Sequence, residues 1–104
     1  MGAIGYDGAA GTVIVDDRVL AHLQIVIGLK LRRQEGFLFT WSDDVSDGPG
    51  RNTIWLHPVI PLSFTFSGAH VPSVNLNWIN ALMHSANSAF GLELVPEPAP
   101  HGHP

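Results

Sequence analysis

From Asp16 to Arg33 the chain reads DDRVLAHLQIVIGLKLRR, a stretch with helical spacing and apolar residues on almost every side. Leu20, Leu23, Ile27 and Leu31 form one stripe, and Val19, Ile25, Val26 and Leu29 widen it well beyond a single face. A helix that is apolar nearly all round is buried nearly all round. A chain of 104 residues has little material with which to surround such a helix. Part of the cover is therefore expected from a second copy, with Val19, Leu23, Val26 and Leu29 as the contacts of a homo-oligomer.

The composition points the same way. Apolar residues make up 45% and charged residues only 13%, and the mean hydropathy is +0.18. A small body has much surface to cover, so few charges imply that some of it is shared with a partner. The net charge of −4, with five Lys and Arg in total, opposes a nucleic-acid interface, which needs a positive field. The lack of cysteine excludes a disulfide framework, a thiol nucleophile and a thiolate metal site. Met1 to Asp7 has no basic region leading into an apolar stretch, so no signal peptide is expected. His22, Gln24 and Lys30 interrupt the longest apolar segment, which is too short and mixed to span a membrane. The expected location is the cytoplasm. The length suits a single domain.

Ala3 to Tyr6 and Thr12 to Val15 read as short strands joined by a Gly-rich link. Asp16 is placed to cap the apolar helix, with Asp17 at the positive end of its dipole and Lys30, Arg32 and Arg33 at the negative end. Three alternating segments follow: Phe37 to Ser42, Asn52 to His57, and Leu62 to Ser67. Their short connections suggest an antiparallel meander, with Phe37, Phe39, Trp41, Ile54, Leu56, Leu62, Phe64 and Phe66 on its inner face. A second helix, capped by Asn75 or Ser73, is expected to run to about Ala89, with Gly91 beyond its end. Leu92 to Val95 can add a last strand. The order β-β-α-β-β-β-α-β predicts an α+β two-layer sandwich over residues 1–95. The Pro- and His-rich residues 96–104 form a flexible tail.

No complete catalytic constellation is visible. His22 and His84 fall on helices and His70 in a loop, without the spacing of a zinc motif. His101 and His103 could bind metal weakly, although a plain tail accounts for them. Asp43 to Gly48 resembles a calcium loop, but Val45 takes a ligand place and Ile54 stands where the bidentate Glu belongs. The Gly-rich link lacks the Lys of a phosphate loop. No metal and no cofactor is therefore expected. Arg51, Trp55 and His57 remain as candidate ligand-binding residues. Arg51 would grip an anion and Trp55 would stack on a ring. Trp55 and His57 could equally pack under a loop or against another subunit.

Several stretches together carry a resemblance. They are Asp16-Asp17-Arg18 with His22-Leu23-Gln24, the run from Gly50 to Pro58, Pro61-Leu62, Ser67-Gly68, Asn75 with Trp78-Ile79, Ser85 to Ser88, and Leu94 to Glu97. The chain resembles a family of short, uncharacterised actinobacterial proteins, some of which carry the label ATP-dependent DNA ligase. Such a ligase needs a nucleophilic lysine in a Lys-x-Asp-Gly context. The single lysine here, Lys30, is followed by Leu31-Arg32-Arg33. The resemblance would thus imply at most an accessory role in DNA metabolism. A self-associating binding or structural protein accounts for the sequence better, with a small-molecule-binding or enzymatic domain near Arg51, Trp55 and His57 as the alternative.

Overall fold

The structure, a computed structural model, describes residues 1–7, 11–43 and 50–99. The link at 8–10, the acidic loop at 44–49 and the histidines of 100–104 lie outside them. The elements are β1 (Gly2–Tyr6), β2 (Gly11–Val15), α1 (Asp17–Arg32), β3 (Phe37–Asp43), β4 (Gly50–Leu56), β5 (Leu62–Thr65), α2 (Leu76–Ala86) and β6 (Leu92–Glu93). The fold is α+β, and the element order is the expected one.

The strands do not form one sheet. They form two, in the orders β2-β1-β5 and β4-β3-β6. β1 and β2 are an antiparallel hairpin, and β5 adds to the other edge of β1, with Ala3 opposite Thr65 and Tyr6 opposite Leu62. β3 and β4 are antiparallel, with Phe37 opposite Leu56 and Trp41 opposite Asn52. β6 runs parallel to β3, with Thr40 opposite Glu93. The expected three-stranded meander therefore breaks between β4 and β5. Pro58 and Pro61 flank the break, and neither can donate to a ladder. The turn is closed by the Ile60 amide donating to the His57 carbonyl, and the Pro61 carbonyl accepts from the Asp7 amide. That bond leads the chain onto β1. Leu62 and Phe64 face the core as expected, but from the other sheet.

One core joins both sheets and both helices. Ile4, Val13 and Val15 come from the first sheet, and Phe37, Phe39, Leu56 and Leu92 from the second. Leu20, Leu23, Val26 and Ile27 come from α1, and Trp78, Ile79, Leu82 and Ala86 from α2. Each large side chain buried this way contributes about 1.5–3 kcal/mol of hydrophobic stabilisation. α1 is thus covered mainly by its own chain.

The helix ends differ in detail from expectation. Asp16 stands at the N-cap of α1 without a side-chain capping bond. Asp17 turns away instead and accepts from the Ser67 and Gly68 amides, at 3.2 and 3.0 Å. Asn75 caps α2, accepting from the Asn77 and Trp78 amides. That helix ends at Ala86, three residues early, with Asn87 as its C-cap.

Two glycines have opposite meanings. Gly91 has a φ of +84° and sits on the backbone of Leu38, so a Cβ there meets the Leu38 carbonyl. Gly28 lies inside α1, and a Cβ there meets nothing within 4 Å. Gly28→Ala is expected to stabilise the fold by about 0.5–1 kcal/mol, since alanine loses less backbone entropy in a helix. Gly91→Ala should destabilise it by more than about 1 kcal/mol. Chemical denaturation of the two variants checks both signs.

Candidate functional site

Side chains alternate along β4, so Arg51, Thr53 and Trp55 project from the face opposite the core, and His57 continues their line. Trp55 is 51% exposed. Its ring stacks on His57 with centroids 6.3 Å apart and planes inclined by 25°. Both rings lie over Gly36, where any Cβ would collide with the indole. His57 Nδ1 accepts from the Val59 amide at 3.2 Å, which places the proton of the neutral ring on Nε2. Arg51 stands four positions before Trp55 along the strand, about 13 Å away at ordinary strand rise. Its guanidinium reaches across β3 to Glu93 at 3.2 Å. Between the two ends, the Thr40 and Thr53 hydroxyls hydrogen-bond at 2.8 Å.

The structure therefore brings Trp55 and His57 together and leaves Arg51 apart. Two separate grooves reflect this. One of about 320 Å³ is walled by Trp55, Gly36, Leu38, Lys30, Asn87 and Ser88. The other, about 340 Å³, lies beside Arg51, Trp41, Glu93 and Val95. Lys30 is only 6% exposed. Its ammonium is bound by Glu35 at 2.6 Å and Asn87 at 2.8 Å, and stands 5.9 Å from the Phe37 ring centroid. The Lys30 hydrogen bond, with Arg33 nearby, holds the Glu35 carboxyl below its ordinary value. An ammonium tied to a carboxylate and an amide has no free lone pair to offer as a nucleophile.

The four expected oligomer contacts divide. Leu23 and Val26 are fully buried within the chain, and Val19 is half-buried. Only Leu29, at 38%, is exposed. A second copy could not touch Leu23 or Val26 without opening the core.

A polar cluster at the start of both helices has no precedent in the sequence reading. His22 is fully buried. Its Nε2 accepts from the Asn75 amide at 2.9 Å, and its Nδ1 bonds the Arg18 carbonyl at 2.7 Å. The neutral tautomer with its proton on Nδ1 makes both bonds. The ring rests on Trp78, 4.5 Å between centroids, and the Trp78 indole donates to the Val95 carbonyl. Asn75 donates to Glu97 and to the Pro98 carbonyl, and Asn77 donates to the Ala99 carbonyl. Arg18 grips Glu97 through two bonds and also donates to the Ser73 carbonyl. The segment after Val95 is thus held to the body through Ala99. Asn75 is legible as one of two caps, with Ser73 the other; Glu97, more than twenty positions away, carries no local signal.

Among the described residues no group of three or more His, Asp or Glu is placed to hold a metal ion, and no helix is long and apolar enough to cross a membrane. A family profile described as a domain of unknown function, DUF7882, matches residues 1–97. The chain belongs to the DUF7882 family. No curated protein and no solved structure matches it. The DUF7882 match ends at Glu97, the residue that closes the polar cluster.

The Arg18 and Asn75 hydrogen bonds draw the Glu97 carboxyl down from 4.5 to about 2. A carboxyl whose folded value lies below its unfolded one stabilises the fold above the unfolded value and loses that effect as pH falls through the folded one. Thermal melting should therefore show stability falling from about pH 4.5 towards pH 2. Glu97→Gln should be less stable near neutrality and show a shallower acid slope. An unchanged slope in that variant would remove Glu97 from the network's energetics.

Proposed function

We propose that this DUF7882 chain is a small self-associating binding module. The observation that supports it is Trp55, a half-exposed indole on a strand at the edge of its sheet. Tryptophan is enriched at interfaces because it removes a large area from water at little entropic cost. Leu38, opposite Trp55 on β3, is exposed as well. A cytoplasmic setting is part of the same proposal, as is an actinobacterial source, which rests on the sequence resemblance.

A small-molecule site is the second reading, favoured by the groove beside Trp55. A planar ligand could stack on the indole there. Arg51 would take no part in such a site, because it is held at the other groove by Glu93.

Sedimentation of the wild type and of Trp55→Ala separates the two readings. Self-association predicts a wild-type species heavier than the 11.2 kDa chain. Trp55→Ala should shift that species towards the monomer, with little change in the melting temperature of the monomer because the ring is half in water already. A wild type that stays monomeric at high concentration would refute self-association and turn the search towards ligands.

The ligase label makes a separate prediction. Lys30 is buried in an ion pair, so incubation with labelled ATP and magnesium should leave the protein unlabelled. Stoichiometric labelling lost in Lys30→Arg would overturn this.

A further inference from the structure

Among the described residues β4 is hydrogen-bonded to β3 alone, and its other edge carries no strand. At seven residues it is as long as any strand in the molecule that is described. An unpaired strand edge is a template for a further strand. We propose that two copies of this chain join by antiparallel pairing of β4 with β4, about a two-fold axis through Thr53, making one continuous six-stranded sheet. This inference rests on the self-association proposed above and names its surface.

The outward residues of β4 are self-complementary in this register. Thr53 faces Thr53. Arg51 of one copy lies opposite Trp55 of the other, and the reverse holds across the axis. Directly opposed residues on one face of an antiparallel pair stand about 4.5–5.5 Å apart at Cβ, close enough for an indole to cover its neighbour. Within one chain Glu93 draws the Arg51 guanidinium over β3, away from the free edge. The aliphatic stem of Arg51 is thereby left as a platform for the Trp55 ring of the second copy, while the charge keeps its partner. The arrangement also explains why an edge strand carries a half-exposed tryptophan. Like charges never meet across the axis, since Arg51 is the only charged residue of β4.

The other long edge is a poorer match. β2 has five residues, and its exposed side chains are Thr12 and Ile14. A two-fold about Val13 would oppose a hydroxyl to an isoleucine and place no aromatic or charged pair.

Position 53 lies on the proposed axis, so a charge placed there meets its own copy only in this interface; every variant there loses the Thr40 bond alike, so the contrast between them carries the test. Thr53→Lys and Thr53→Glu should each weaken dimerisation by about tenfold or more, because like charges meet at the two-fold. Mixing the two variants should restore a dimer, which only folded protein can form. Thr53→Cys, in a chain with no other cysteine, should oxidise to a covalent dimer. If the wild type dimerises and Thr53→Lys dimerises equally well, or Thr53→Cys fails to cross-link, the β4 interface is refuted while self-association stands. A monomeric wild type refutes both.

Discussion

The burial of α1 is the constraint on which the rest of the structure depends. Leu20, Leu23, Val26 and Ile27 need cover on more than one side, and one small sheet can supply only one side. The molecule answers with two three-stranded sheets and a second helix that share one core. That division explains why β5 leaves β4 and joins β1. A single five- or six-stranded sheet would cover one face of α1 and leave the others in water. Two short sheets can sit at an angle to each other and enclose it.

The polar cluster at the start of the helices fixes the same arrangement from another direction. His22 lies within the apolar helix, fully buried, yet both its ring nitrogens are satisfied. The bond it accepts comes from the backbone of Asn75, which caps α2. The side chain of Asn75 in turn holds Glu97 and Pro98. A buried donor or acceptor left without a partner costs about 1–3 kcal/mol. The two helices and the C-terminal segment are therefore placed together or not at all.

This leaves the outer face of the β4-β3-β6 sheet as the surface with chemistry to spare. Arg51, Thr53, Trp55 and His57 follow one another along it. Period-two alternation is legible in the sequence and puts Thr53, Trp55 and His57 on the side of β4 opposite Ile54 and Leu56. Reach is not legible there. Arg51 and Trp55 share a face but stand four positions apart along extended chain, and each has its own groove. Lys30, drawn by its place in the helix as a favourable C-terminal charge, is a buried partner of Glu35 and Asn87.

By itself the sequence determined the elements and their faces. Apolar spacing placed α1 and α2, alternation placed the strands, and Asn75 and Ser73 were the two readable caps of α2, because these signals are local. The covering of α1 was less legible. Nearly all-round apolarity implies burial on every side, whereas the structure seals Leu20, Leu23, Val26 and Ile27, leaves Val19, Ile25 and Leu31 half-buried, and exposes Leu29. Leu23 and Val26, expected to meet a second copy, are sealed inside. Only the tertiary structure decided that β5 pairs with β1, that Asp17 serves Ser67 and Gly68 instead of its own helix, and that Glu97 closes on Arg18 and Asn75. The physical reason is common to all three. An alternating strand fits either sheet equally well, and a carboxylate accepts from any donor in reach, so the choice lies in long-range geometry that no local pattern encodes.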